Sequence, residues 1–353
     1  TCKRPKSLYE HLSFIIIFIM HLSSTLSKKI LAWYDNSKRN LPWRVSKKSP
    51  KNLYYRLLSE FMLQQTQVKT VIPYFKKFTN KYKSLEALSN INEKEILKSW
   101  EGLGYYRRAK NLLAAAKILV RQYNSKLPNT LNELKKLPGI GDYTANALLG
   151  LVYDKPTIAV DGNVKRIFAR YLNKKESKIN FTKLIDLNKK SLFNTERNAD
   201  FVEAIMEFGA LICKPKDPKC EHCCLNKSCR YLKSSRKIKT NKIKKIKVIN
   251  YDIFCYLNKK EKQIALTKTN KTSFLKNFNL PLIKKMKNIS NHKDWNFIKN
   301  YKNSISNQKL NINLYYKFSN SIPVTYNWHP LKNNKDFIPS FTKKIFKQVS
   351  KLF

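Results

Sequence analysis

Apolar residues recur at three- and four-residue intervals from about residue 26 to 232, the spacing that lays an apolar stripe along a helix. In "KNLLAAAKILVRQY" (110–123), Leu112, Leu113, Ala116, Leu119, Val120 and Tyr123 share one stripe. "TANALLGLVY" (144–153) and "NVKRIFARYL" (163–172) read the same way, and short breaks such as "KLPNT" and "LPGIGD" separate them. Beyond residue 248 the period changes. "VINYDIFCYL" (248–257), "QIALTKT" (263–269) and "LNINLYYKFS" (310–319) are rich in β-branched and aromatic residues and predict strands. "SFTKKIFKQVSKLF" (340–353) returns to helical spacing. Between the two patterns, residues 233–248 carry eight Lys/Arg and no acid, a linker or basic arm. The pattern predicts a mainly α core over 26–212, a cysteine-rich loop over 213–232, the linker, and an α+β domain over 249–353.

The N-terminal segment 1–25 falls outside this scheme. "LSFIIIFIM" (12–20) follows the basic "KRPK" but is too short to span a bilayer, and no small-residue cleavage site follows it. The expectation is that native coding begins at Met20, that the chain is intracellular, and that structural disulfides are absent.

Composition adds a charge signal. The 353 residues include 71 Lys+Arg against 23 Asp+Glu, a formal net charge of +48. Such a surface attracts polyanions, nucleic acid or an anionic membrane face. Bias toward Lys, Asn and Ile throughout the chain weakens the charge as a signal taken alone. All seven glycines lie between Gly102 and Gly209, so the C-terminal third uses none.

Three segments carry candidate chemistry. "LPGIGDYTANAL" (137–148) has the form of a helix–hairpin–helix: Gly139 and Gly141 permit a tight turn that a Cβ would obstruct. The backbone N–H groups of that turn can then face an anion such as a DNA phosphate. In "AVDGNVKRIFAR" (159–170), Asp161 stands at a helix mouth, as a cap or as a catalytic carboxylate. In "SEFMLQQTQV" (59–68), Glu60 stands in an apolar run, either on the solvent face of an amphipathic helix, the commoner case, or in surroundings that favour its protonated form. Two carboxylates in unlike environments are what N-glycoside cleavage needs: one protonates the leaving group and the other stabilises an oxocarbenium-like sugar.

"CKPKDPKCEHCCLNKSC" (213–229) holds five of the seven cysteines. Cys213, Cys220, Cys223 and Cys229 form C-x6-C-x2-C-x5-C, which suits a compact [4Fe–4S] cluster; zinc is also compatible with the spacing. His222 reads as a solvated neighbour.

Taken in order, "LPWR" (41–44), "SEFMLQQTQVKTVIPYF" (59–75), "WEGLGYYRRAKNL" (100–112), "LPGIGDYTANAL", "AVDGNVKR" and the four-cysteine loop resemble the MutY-type adenine DNA glycosylases of the helix–hairpin–helix superfamily. The resemblance covers about residues 26–232. It implies a monofunctional enzyme of base excision repair that removes adenine mispaired with 8-oxoguanine or guanine after flipping it from the duplex. On this reading Glu60 is the general acid and Asp161 stabilises the cationic sugar, with Tyr143 and Asn163 around that centre. Arg44 and Leu63 line the adenine pocket. Gln65, Thr66 and Tyr105 fill the emptied stack and contact the damaged guanine. The four cysteines bind one [4Fe–4S] cluster, and Cys224 is a bystander where the family usually has Pro.

The C-terminal domain resembles, more weakly, the family's Nudix-like reader of 8-oxoguanine. "SFLKNFNLPLI" (273–283) and "DFIPSFTKKIFKQV" (336–349) carry that likeness, and "KFSN" (317–320) places Ser319 on the lesion. Tyr316 and Asn320 stand where histidines are usual. Glu261 is the one Glu after residue 232, so Nudix hydrolysis is excluded. Other departures are a short insertion around Lys47–Asn52 and Asp142 in the hairpin. The implied partner is double-stranded DNA bearing such a mispair, met by a monomer in the cytoplasm, nucleoid-associated and without a membrane. The alternatives are an endonuclease III-like lyase, which needs a Lys where Tyr143 stands, an inactive DNA-binding relative, and an iron–sulfur electron carrier.

Overall fold

The computed structural model describes residues 22–235 and 247–353, apart from 270, 271, 273, 276, 277, 287–291, 306, 307 and 333–336. The hydrophobic stretch before Met20 and most of the basic linker lie outside the described residues. The chain divides into two compact units, with boundaries at 91/92, 106/107 and 242/243.

The first unit is helical. Its long helices are α1 (Leu26–Ser37), α2 (Asn52–Leu63) and α3 (Val68–Lys81), then, after the segment that joins the second unit, α5 (Arg107–Tyr123), α6 (Asp142–Tyr153), α7 (Gly162–Tyr171) and α8 (Asn198–Leu211). α5 buries Leu112, Leu113, Ala116 and Leu119, the stripe its spacing predicts. α2 is different. Tyr54, Arg56, Leu57, Leu58, Ser59, Glu60, Phe61 and Met62 are all buried, as in a helix enclosed on every side. One core joins α1, α7 and α8 through Leu26, Ile30, Phe168, Phe201 and Phe208 and extends to Leu225 of the cysteine loop. Among the described residues no helix is long and apolar enough to cross a membrane.

The second unit holds a six-stranded mixed sheet in which five strands run in the order β4-β5-β1-β2-β6 and β3 pairs with β1 off that path. The strands are β1 (Lys247–Asn258), β2 (Gln263–Leu266), β3 (Leu282–Lys285), β4 (Asn296–Ile305), β5 (Gln308–Phe318) and β6 (Asn327–Pro330). β1 runs parallel to β5 and antiparallel to β2 and β3. The inward residues Ile249, Tyr251, Ile253, Cys255 and Leu257 alternate along β1 and pack with Leu310, Ile312 and Leu314 of β5. The terminal helix α9 (Ser340–Val349) covers this face with Phe341, Ile345, Phe346 and Val349.

The strands read from the sequence match β1, β2 and β5; β3, β4 and β6 were not anticipated. β4 has little apolar alternation, with a burial pattern that is mostly exposed, and β3 and β6 have only four residues each. Residues 92–106, read as part of the helical core, group with the sheet instead. This segment contains α4 (Glu93–Ser99), and its Tyr106 packs on Phe278 and Phe337 of the same unit.

Candidate active site

Three chain segments build the site in the first unit, and each is placed by local physics. α2 delivers Glu60. Its C-terminal end is tied to the hairpin, because the Gln64 side-chain amide donates to Gly139 O at 3.3 Å. Gly139 has φ +81°, and an added Cβ would meet Asn111 and Phe61 side-chain atoms at 2.8 Å, so a larger residue is excluded twice over. Gly141 corrects the expectation. Its φ is −99° and a Cβ there would meet nothing within 4 Å. It is instead the N-cap of α6, where a missing side chain leaves the first N–H groups of the helix uncovered. Asp142 opens that helix as an acid in its first turn, a placement the helix dipole favours, and pairs with Lys135.

Asp161 caps α7. Its Oδ1 accepts from Val164 N at 2.8 Å, and its Oδ2 accepts from Asn163 Nδ2 at 2.7 Å. Asn163 is held in turn by Arg166, whose Nη2 donates to Asn163 Oδ1 and Gly209 O, both at 2.8 Å, while Nε donates to Cys213 O at 2.7 Å. Gly209 of α8 is what lets this contact form: a Cβ there would lie 2.6 Å from Asn163 Cβ. The cap and the catalytic reading of Asp161 are thus compatible, since the two oxygens have separate partners.

Glu60 is buried, and burial pushes its carboxyl up to about 7. The nearby charges of Glu203 and Asp161 push the same way; Arg56 and a hydrogen bond donated by Tyr143 pull it down. Glu60 and Asp161 are therefore within electrostatic reach of each other, which sequence alone could not establish. Burial also raises Asp161, but the hydrogen bonds from Val164 and Asn163 and the charge of Arg166 oppose it. Tyr143 is held well above its ordinary value by burial and by both carboxylates, and its hydroxyl sits 3.2 Å from Met206 Sδ.

Arg44 is held by two buried glutamates. Its Nε lies 2.6 Å from Glu203 Oε2, its Nη2 pairs with Glu207, and its Nη1 donates to Arg39 O at 2.8 Å. Glu203 also binds Arg56 and Tyr34, making a buried network beneath Glu60. Leu63 ends α2, half-buried. Glu203, Glu207 and Arg56 are the site residues that sequence reasoning missed. The signal was available: two glutamates at i, i+4 inside the apolar run "ADFVEAIMEFGALI" of an acid-poor chain.

Gln65 and Tyr105 share an unusual conformation. Both are exposed, with φ of +56° and +48°, in the left-handed region that non-glycine residues seldom occupy. Thr66 follows Gln65 and donates its N–H to Leu63 O at 3.1 Å. Ser319 lies in the second unit at the end of β5, where its hydroxyl donates to Ser321 O at 2.6 Å.

Cys213, Cys220, Cys223 and Cys229 all line one cavity, walled by Ile167, Phe208 and Leu225 and bordered by Arg170. Arg170 Nη1 lies 3.5 Å from Cys213 Sγ. Cys224 is absent from that lining and packs against the core of α1, α7 and α8. Burial pushes the Cys223 thiol up to about 12 and raises Cys229. Such thiols ionise when a metal centre supplies the compensating charge. Among the described residues no three His, Cys, Asp or Glu side chains gather as they would about a single metal ion.

The site in the first unit thus combines a glycine-turned hairpin, a buried acid and a helix-capping carboxylate. Residues 58–187 match the HhH-GPD superfamily of base excision DNA repair proteins. The solved structure of a thermostable thymine-DNA glycosylase aligns with a TM-score of 0.53 and 29% identity, covering 59% of this chain and 95% of that one. An endonuclease III–DNA covalent intermediate, at 21% identity and a TM-score of 0.50 over 60% of this chain and 98% of that one, shares the fold.

Within that class the chain belongs to the MutY-type adenine DNA glycosylases. It is 36% identical to the adenine DNA glycosylase of Buchnera aphidicola subsp. Schizaphis graminum over 349 residues, covering 90% of this chain and 97% of the relative. The Rattus norvegicus enzyme is 36% identical over 251 residues, 69% of this chain and 48% of its own length. The protein is a DNA glycosylase, a hydrolase of base excision repair.

Proposed function

We propose that this enzyme hydrolyses the N-glycosidic bond of adenine paired opposite 8-oxoguanine or guanine, and that it does so without strand cleavage. The observation that carries the reading is the pairing of Glu60, buried and pushed up to about 7, with Asp161 at the mouth of α7. Near neutral pH Glu60 holds a proton to give to the departing base. Asp161, oriented by Asn163 and Val164, faces the positive charge that develops on the sugar as the bond breaks. Water then completes the hydrolysis, with Glu60, its proton spent, placed to take one back. A lyase would need an amine nucleophile, and Tyr143 at the hairpin supplies none.

DNA recognition is assigned to the same set of elements. The open N-terminus of α6 at Gly141 offers N–H groups to a phosphate. Gln65, Thr66 and Tyr105 enter the stack once the adenine is flipped. Arg44 and Leu63 line the adenine pocket, with Arg44 held in place by Glu203 and Glu207. Ser319 is the C-terminal contact to the damaged base, on a domain of Nudix-like type, and the enzyme works as a monomer in the cytoplasm with the nucleoid.

The four cysteines that ring one apolar cavity fit a single [4Fe–4S] cluster, held by Cys213, Cys220, Cys223 and Cys229. When bound it would supply structural closure of a loop whose Lys214, Lys216, Lys219 and Lys227 face DNA. Cys224→Ser is expected to keep the full visible absorption and iron content of the purified enzyme, whereas Cys223→Ser loses both. Equal loss in the two variants would contradict the ligand assignment.

Single-turnover incubation with 8-oxoguanine:adenine and guanine:adenine duplexes tests the activity. Adenine release is expected from both, faster from the first, with strand breaks appearing only after alkali. Breaks formed without alkali would favour the lyase reading.

A further inference from the structure

The chain passes from the second unit to the first between Tyr106 and Arg107. Within the second unit Tyr106 is buried, its ring centroid 4.7 Å from that of Phe337 and 5.5 Å from that of Phe278. Its hydroxyl lies 2.9 Å from Ser340 Oγ and accepts from Ser340 N at 3.2 Å. Ser340 is the first residue of α9, and Lys343, in the same first turn, pairs with Glu101. The segment from Glu101 to Tyr106 is thus fastened to α9 at both ends. Between the fastenings lie Gly102, Gly104 and Tyr105, with φ of +97°, +73° and +48°.

We infer that α9 fixes the Tyr105 loop through Tyr106, a positioning residue that sets the placement of Tyr105. The inference rests on the proposed adenine reading, with Ser319 of the same unit meeting the base opposite adenine. Ser319, α9 and the Tyr105 loop all belong to the second unit, so α9 holds the loop on the same body that meets that base. Tyr106 touches no reacting atom, so its effect shows in the preference between substrates.

Tyr106→Phe keeps the ring packing and removes the hydroxyl that Ser340 contacts. Its single-turnover rate on 8-oxoguanine:adenine is expected to fall about fivefold, the worth of a neutral hydrogen bond. The rate on guanine:adenine falls less, so the preference narrows while the melting temperature changes little. Glu101→Lys and Lys343→Glu are each expected to narrow the preference, and the double exchange to restore it. Unchanged preference in Tyr106→Phe and in both single exchanges overturns the inference. So does an equal slowing on both substrates, the mark of a purely structural role. A parent enzyme that releases no adenine, or shows no preference, instead removes the functional reading beneath the latch, and the latch with it.

Discussion

Glu60→Gln slows single-turnover adenine release by about a thousandfold, within the range of roughly 10² to 10⁴ that a positioned general acid contributes. The substitution keeps the shape of the side chain and removes only the transferable proton. The parent rate should fall as pH rises through about 7, because the acid works only while protonated and burial places its titration there. The variant's residual rate should lack that limb. Stability gives a control with a definite sign. The folded-state value lies above the ordinary carboxylate value of 4.5, so the folded protein binds this proton more tightly than the unfolded chain does. The contribution to stability is full below about 4.5 and is lost as pH rises through about 7. Glu60→Gln should therefore melt no lower than the parent above pH 7. A Gln variant as fast as the parent, measured by adenine release, removes Glu60 from the acid role.

Asp161→Asn should cost about a hundred- to a thousandfold in the same step, the size of effect seen when a preorganised electrostatic group is removed. Asn retains an acceptor for Val164 N and is itself a good cap, so α7 should persist. The other oxygen becomes an NH₂ group facing the Asn163 amide, which now donates to it at 2.7 Å. Two donors then oppose each other, and no carboxylate remains to meet the cationic sugar. The split between chemistry and binding is diagnostic. The rate falls, while affinity for duplex DNA holds or tightens, because an acid has left the neighbourhood of the phosphates. Weaker DNA binding with unchanged chemistry would make Asp161 a cap and nothing more.

The site was legible in the sequence where function demanded a departure from local habit. Glu60 stands out as an acid directly before "FML", Asp161 as an acid at a helix mouth, and Gly139 as a turn that admits no side chain. The helical core and β1, β2 and β5 were legible because buried faces impose a period. What escaped was whatever depends on partners distant in sequence. The hold of Glu203 on Arg44 and Arg56 joins residues well over a hundred positions apart. The attachment of residues 92–106 to the sheet depends on Tyr106 meeting Ser340. β3 and β6 are short, and β4 shows no clean alternation, so neither length nor period marked them. Gly141 misled because a motif invites one explanation for both glycines, when only Gly139 has a crowded Cβ position.

The network of Glu203 and Glu207 has a consequence outside the site. Together with Glu60 and Asp161 these residues account for four of the chain's 23 acids, all buried or half-buried. Glu203 and Glu207 are neutralised within the network by Arg39, Arg44 and Arg56, so the +48 formal excess is carried by the other Lys and Arg residues and is what a polyanion meets. Scanning along undamaged duplex would then be governed by ionic strength, as counterions exchange with lysines. Recognition of the flipped base, carried by interior groups out of reach of mobile ions, would stay nearly constant over the same range.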